Sequence, residues 1–261
     1  LARDDLFFPG LRDNGLLLVR GQPLERYLAQ SFATAADPTQ GRNMPAHQSD
    51  REFGVVSWSS CIGNQIPQAV GAAEALRGTG RVVAVAFGDG AISTGDFHAG
   101  LNLAGLWKPP CVFVCENNGW SISVPTHAQT PGVLAEKARA YDIPFARVDG
   151  NDVVAVAEAV AFAADAARNG QGPCLLELLT YRMAPHSSAD DPTRYRNQAE
   201  VNVWAARDPI DRAQRALDQT DDERRVIEQT ERSYFDQALN TSENIGLPPF
   251  EIQVNDLFGD H

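Results

Sequence analysis

Arg81-Val82-Val83-Ala84-Val85-Ala86-Phe87, running into Gly88-Asp89-Gly90, and Cys111-Val112-Phe113-Val114-Cys115, running into Glu116-Asn117-Asn118, decide the fold of this chain. Each apolar, β-branched run reads as a strand, and the 26 residues between Gly90 and Asn117 contain a helical stretch from Asp96 to Trp107. The three pieces form one βαβ unit, so the two strands are parallel. Parallel neighbours carry their tips to one edge of the sheet, where open α/β folds bind ligands. An acid, two amides and two glycines at such an edge suit a divalent cation that holds a diphosphate.

The same alternation extends outward. Pro23 to Ala33 and Gln65 to Leu76 have helical spacing, with the polar stretch Asp37 to Arg51 as a loop between them. After a loop from Gly119 to Pro131 and a short helix, Phe145 to Val148 reads as a strand and Asp152 to Arg168 as a helix. Asp149-Gly150-Asn151-Asp152 supplies a turn and a helix cap. Pro173 to Tyr181 is almost continuously apolar, as in a strand covered on both faces. Arg182 to Asn197 is a polar loop, long enough to suggest a function or ordering on binding. Asp208 to about Leu239 is helical and heavily charged. The expected fold is α/β, an open and mostly parallel sheet with helices on both faces and a helical C-terminal extension. The expected division is residues 1–205 for the α/β domain and 206–261 for the extension.

With 34 acidic against 22 basic side chains the formal charge is -12. No Lys/Arg cluster offers a face to a phosphate backbone, which argues against nucleic acid and against an anionic membrane surface. No apolar stretch approaches the ~20 residues of a spanning helix. Cys61, Cys111, Cys115 and Cys174 form no CxxC pair, and the last three lie in apolar runs. They read as small buried hydrophobes in a reducing compartment. The chain opens on Leu1 without a cationic and then apolar leader, so no secretory signal is expected, and the abrupt start suggests an upstream segment.

Taken in register, the motifs resemble the thiamine-diphosphate enzymes, and within them the alpha subunit of the decarboxylating component of 2-oxoacid dehydrogenase complexes, branched-chain type. Besides Gly88-Asp89-Gly90 and Asn117-Asn118, the resemblance rests on Gly41-Arg42-Asn43-Met44-Pro45-Ala46-His47, Ser59-Ser60, and Gln65-Ile66-Pro67-Gln68-Ala69-Val70-Gly71. It continues through Gly95-Asp96-Phe97-His98-Ala99-Gly100, Arg147-Val148-Asp149-Gly150-Asn151-Asp152, and Thr180-Tyr181-Arg182 to His186-Ser187 and Asp190-Asp191-Pro192. It spans about residues 4 to 210.

The resemblance implies oxidative decarboxylation of a 2-oxo acid on thiamine diphosphate and Mg2+, with acyl transfer to a lipoyl group on a partner acyltransferase. It implies Asp89, Asn118 and the Trp120 carbonyl as metal ligands, and Gly88 and Gly90 as close backbone approaches to the phosphates. Taken alone, Asp89 serves equally as a helix N-cap; the paired amides favour the cation. Asn117 fits the turn as well as the ligand. Arg20 is implied as a grip on the diphosphate, Ser60 and Ile62 as cofactor contacts, and Ser59, Asn64 and Gln65 as a K+ site found in some relatives. His186 is the implied catalytic residue, also contacting the cofactor, since imidazole exchanges protons near neutrality. Ser187 occupies a position phosphorylated in animal relatives.

Two departures stand out. Val19 replaces a frequent Tyr, and Glu116 stands where some relatives have an Arg on the diphosphate, leaving the site less basic. The activating glutamate of such enzymes belongs in this branch to a beta subunit, so the resemblance implies a heterotetramer with the cofactor at the alpha–beta interface. An upstream stretch of the family, roughly a hundred residues, is expected to be missing here. Pyruvate or acetoin as substrate, or a non-catalytic chain that keeps the fold, are the competing readings. The implied location is a bacterial or archaeal cytoplasm, or the mitochondrial matrix in a eukaryote.

Overall fold

The computed structural model describes residues 1–56 and 58–251. Its strands are β1 (Leu6–Phe8), β2 (Val83–Gly88), β3 (Cys111–Asn117), β4 (Trp120–Ser121), β5 (Val124–Pro125), β6 (Phe145–Asp149) and β7 (Cys174–Leu179). Its helices are α1 (Asn14–Val19), α2 (Leu24–Ser31), α3 (Gln65–Ala75), α4 (Gly95–Trp107), α5 (Thr126–Gln129), α6 (Val153–Arg168), α7 (Gln198–Ala205), α8 (Pro209–Ala216) and α9 (Asp221–Glu243). Short 3-10 turns occupy Asp89–Ser93, Ala135–Tyr141 and Pro192–Arg194.

Five strands form one open parallel sheet in the order β1-β2-β3-β7-β6, with helices on both faces, as the apolar runs predict. β2 and β3 pair from Val83 with Cys111 to Gly88 with Glu116, which brings the two motif-bearing tips side by side. β7 lies between β3 and β6, which explains its almost continuously apolar run: both faces are covered and both edges paired. β4 and β5 form a separate small hairpin just after β3. The cysteines of β3 are core residues, and burial pushes the Cys111 and Cys115 thiols far up; part-burial of Cys174, at the start of β7, pushes its thiol to about 11.

Packing explains the glycines of the first crossover. On α4, a Cβ added to Gly100 would lie 2.7 Å from Ile66 Cγ2 on α3, so only glycine permits this approach. α4 is capped by Thr94, whose hydroxyl accepts from the Phe97 N–H at 3.2 Å. α6 is capped by Asp152, which accepts from Val154 and Ala155 N–H groups, as expected from its position in the turn.

Contacts divide the chain into two compact units: Leu1–Gly10 with Ser59–Asp218, which contains the parallel sheet, and Leu11–Trp58 with the described residues from Gln219 onward. α7 and α8 both fall in the first of these units. Arg212 on α8 bonds both Asp149 and Asp152 at the head of α6, and Arg207 bonds Asp149. In the other unit, Leu24 and Leu28 of α2 pack on Ala238 of α9. The stretch expected to be helical from Asp208 to about Leu239 holds two helices, because Asp218 takes a left-handed φ of 51° and Thr220 with Glu223 forms a capping box that starts α9 afresh.

β1 has no sequence signal, since three residues are too few to show a pattern. Its edge is secured by Asp5, fully buried, which accepts from the Val82 N–H at 2.8 Å and pairs with Arg168 at 2.8 Å. Burial opposes its ionisation, but the Arg168 bond, two backbone N–H groups and the arginine charge prevail and hold the carboxyl below its usual range. Asp5→Ala is expected to cost about 2–3 kcal/mol in urea unfolding, reduced from a fully buried pair because Arg168 is partly exposed. Since the folded-state pKa is depressed, Asp5's contribution is present above the ordinary carboxylate range and fades as the pH falls through the lowered value. The variant's stability should therefore depend less steeply on pH below about 4.

Candidate functional site

Asp89 follows the last residue of β2 and Asn118 follows the last residue of β3, so the paired strands set both at one edge. Asp89 opens a 3-10 turn and does not cap α4, which is Thr94's role. Its side chain is buried, and Oδ2 accepts from Thr126 Oγ1 at 3.0 Å and Gln129 Nε2 at 2.8 Å. The buried acids Asp5, Asp50 and Glu177 each face an arginine, Arg168, Arg26 and Arg147 respectively. Asp37 closes its own turn, accepting from the Thr39 and Gly41 N–H groups. Asp89 is held by neutral side-chain donors brought from another element. A buried carboxylate without a countercharge is costly, and a bound cation would relieve that cost.

The neighbouring donors match such a cation. Asn118 Oδ1 accepts from the Trp120 N–H at 3.1 Å, turning its amide oxygen into the bend that follows β3. The Trp120 carbonyl accepts from Arg182 Nη1 at 3.2 Å and retains a second lone pair. Carboxylate, amide and main-chain oxygens suit Mg2+ or Ca2+; among the described residues no cluster of His, Cys, Asp and Glu suits a softer metal. A Cβ on Gly88 would meet nothing within 4 Å, leaving its backbone open to an anionic ligand. Gly90 differs: its Cβ would lie 2.5 Å from Ser121 Oγ, so the hairpin packs closely against the backbone there.

Asn117 serves the framework. Its Oδ1 accepts from the Gly119 N–H at 3.1 Å, and its amide donates to Glu177 Oε1 at 2.8 Å. Glu177, buried in β7, also accepts from Ala135 N–H and Arg147 Nε, both at 3.1 Å. Beside this cluster opens a cavity of about 650 Å³ whose walls include Asn117, Trp120, Thr126, Arg147, Tyr181 and Trp204. Neither Asp89 nor His186 lines it, so it is not the expected metal-diphosphate pocket. Glu116 is half-buried at the register of Gly88 and Leu178. Because strand side chains alternate, it projects to the sheet face opposite Asn117 and Cys115.

The polar loop beyond β7 is ordered by Arg182 together with Arg196, whose guanidinium donates to the Arg182 and Met183 carbonyls. The Arg182 N–H donates to the Asn118 carbonyl at 3.1 Å, and its guanidinium donates to Ile122 O at 2.6 Å and Tyr195 Oη at 2.9 Å. Tyr195 in turn donates to Asp190 at 2.6 Å, and Asp190 accepts from the His186 N–H at 2.7 Å. The Tyr195 and His186 bonds hold the Asp190 carboxyl below its usual range. His186, half-buried, is thus joined through its backbone to the segment that bears Asn118 and Trp120.

The other candidates are distributed as follows. Ser60 and Ile62 are exposed, Ile62 at 62%, an unusual setting for an isoleucine. Arg20 belongs to the other compact unit, directly after α1, where its Nε donates to the Phe53 carbonyl. Ser59 Oγ accepts from Asn64 Nδ2 at 3.0 Å, and Gln65 Nε2 donates to the Ala86 carbonyl at 3.0 Å. The remaining side-chain oxygens of Asn64 and Gln65 are buried without a hydrogen-bond partner. Thr126, Gln129 and Glu177 are not among the residues that the motifs single out. α5 is too short to show a pattern, but Glu177, the sole charge in Cys-Leu-Leu-Glu-Leu-Leu, is a visible signal.

The family model described as dehydrogenase E1 component matches residues 1–246. The mitochondrial 2-oxoisovalerate dehydrogenase subunit alpha 2 of Arabidopsis thaliana is 43% identical over 217 residues, covering 81% of this chain and 46% of that protein. Subunit alpha 1 of the same plant is 37% identical over 267 residues, with 99% and 56% covered. The Homo sapiens mitochondrial subunit alpha is 43% identical over 221 residues, with 83% and 50% covered. The chain spans about half the length of these relatives.

Arg182→Ala should release the loop without unfolding the sheet. Hydrogen–deuterium exchange over residues 183–197 is expected to accelerate by about an order of magnitude, the equivalent of one or two lost hydrogen bonds. Unchanged exchange would show that the loop is ordered by something else.

Proposed function

The chain belongs to the dehydrogenase E1 component family, and from that premise we propose that it is the alpha subunit of a branched-chain 2-oxoacid dehydrogenase decarboxylating component. That family is thiamine-diphosphate-dependent. The observation that carries the reading is the buried Asp89 carboxylate, held by neutral donors beside the oxygens of Asn118 and Trp120. The similarity to 2-oxoisovalerate dehydrogenase alpha subunits supports the branched-chain assignment.

In this reading Asp89, Asn118 and the Trp120 carbonyl hold Mg2+, and the Gly88 and Gly90 backbone approaches the diphosphate. Bound thiamine diphosphate supplies the nucleophilic carbon and the electron sink for loss of carbon dioxide. Arg20 grips the diphosphate, while Ser60 and Ile62 line the cofactor; the exposure of Ile62 supports an apolar contact still to be made. His186 exchanges a proton with the reacting centre, and the Arg182–Tyr195–Asp190 ladder fixes the backbone that carries it. Glu116, half-buried at the register of Gly88, leaves this site less basic than one with an Arg there. K+ binds at Ser59, Asn64 and Gln65, which the two orphaned buried amide oxygens support.

A beta subunit completes the active site in a heterotetramer, and the product acyl group passes to the lipoyl group of a partner acyltransferase. The enzyme works in the mitochondrial matrix if the source is eukaryotic and in the cytoplasm if it is bacterial or archaeal. Among the described residues no helix is long and apolar enough to cross a membrane.

Reconstituted with a beta subunit, thiamine diphosphate and Mg2+, the chain should decarboxylate 2-oxoisovalerate with a higher kcat/KM than pyruvate; the reverse order would overturn the branched-chain assignment. In the same assembly Asp89→Ala should abolish the Mg2+-dependent binding of thiamine diphosphate in calorimetry. Unchanged affinity would remove the metal from this edge of the sheet.

A further inference from the structure

Asp89 takes its orientation from α5. Thr126 Oγ1 lies 3.0 Å from Asp89 Oδ2 and 3.1 Å from Asn117 Oδ1, and a hydroxyl has one proton for these two acceptors. Asn117 Oδ1 already accepts from the Gly119 N–H, and the donation of its amide to Glu177 fixes which end is oxygen. The proton therefore goes to the carboxylate, the stronger acceptor. Gln129 Nε2 also faces two acceptors, Asp89 Oδ2 at 2.8 Å and the Val124 carbonyl at 3.0 Å, so its amide orientation is equally determined. Both donors converge on Oδ2.

α5 itself is pinned to the elements it serves. The Thr126 N–H donates to the Gly119 carbonyl at 2.9 Å, and Ser93 Oγ donates to the Gln129 carbonyl at 3.4 Å. Ser121 and Gln129 fill the space that a side chain at position 90 would need. A carboxylate gripped by one oxygen keeps its plane fixed while the other oxygen stays available. Neutral donors do this without cancelling the charge, whereas the arginines that face Asp5, Asp50 and Glu177 cancel it.

We propose that Thr126 and Gln129 are positioning residues of the divalent-cation site, locking Asp89 Oδ2 so that Oδ1 is the oxygen presented to the metal. This rests on the reading of Asp89 as a metal ligand. The segment after β3 then serves the site twice. It supplies Asn118 and Trp120 as donors, and it returns through β5 and α5 to orient the acid on the neighbouring strand.

The test is a titration of the assembled alpha–beta protein, with thiamine diphosphate present, by Mn2+ as an EPR-visible probe of the Mg2+ site. Thr126→Val keeps the shape and removes the hydroxyl; Gln129→Met keeps the length and removes the donor. Each should weaken Mn2+ binding by about 10–100-fold, the usual effect of losing a partner that orients a ligand. Thr126→Ser, which restores the hydroxyl, should bind close to the unaltered protein. Asp89→Asn serves as the reference. If it weakens Mn2+ binding while Thr126→Val and Gln129→Met do not, the positioning role is overturned and the metal site stands. If Thr126→Ser is as weak as Thr126→Val, the hydroxyl is not responsible and the proposal fails. If Asp89→Asn itself binds Mn2+ normally, the metal assignment falls and takes the positioning role with it.

Discussion

Parallel pairing of β2 with β3, in register from Val83 and Cys111 to Gly88 and Glu116, is the constraint on which the candidate site rests. Two strands that run in one direction end at one edge, so residues far apart in the chain become neighbours without any local attraction between them. A shift of one residue would turn Asn117 toward the face now occupied by Glu116, and Asp89 would lose its companions. Register is held by burial. Val83 to Phe87 on one strand and Cys111 to Cys115 on the other lie in a sheet covered on both faces, where a slip would misplace every apolar side chain at once.

Against that fixed edge, the buried acids differ in the partners that meet their charge. Asp5, Asp50 and Glu177 are buried with arginines and hold structure together: Asp5 ties β1 to β2, Asp50 receives Gln22 and Arg26, and Glu177 joins β7 to Asn117, Ala135 and Arg147. Asp89 is buried with a hydroxyl and an amide. Asp37 is also buried with neutral donors, but these come from its own turn, whereas the donors to Asp89 come from α5. The Asp89 carboxylate directly follows Gly88, whose backbone is open.

Much of this is legible in the sequence because it depends on local periodicity. β2, β3, β6 and β7, and the helices α3, α4 and α6, follow their apolar patterns closely, and Asp152 caps α6 where the turn chemistry places it. Short elements are not legible. β1, the β4–β5 hairpin and α5 have two to four residues per element, too few for any period to emerge, and they form because tertiary contacts hold them. The charged helical stretch of the C-terminal region is divided after Asp218, whose left-handed φ precedes the capping box of Thr220 and Glu223. The long loop after β7 shows no period either, since its order comes from the side chains of Arg182, Asp190, Tyr195 and Arg196.

By itself, the sequence determined the α/β class, the parallel sheet, the edge where Asp89 and Asn118 meet, and the family to which those motifs point. Strand propensity, apolar periodicity and the βαβ handedness of the chain are enough for that, because each acts over a few neighbouring residues. Only the tertiary structure decided which partners each functional group has. It assigned helix capping to Thr94 and left Asp89 for the site, gave Asn117 to the framework through Glu177, and set Thr126 and Gln129 on the Asp89 carboxylate. The bonds that α5 and Glu177 make to Asp89 and Asn117 join residues 9 to 60 positions apart, and only the packed sheet brings such residues within hydrogen-bond reach.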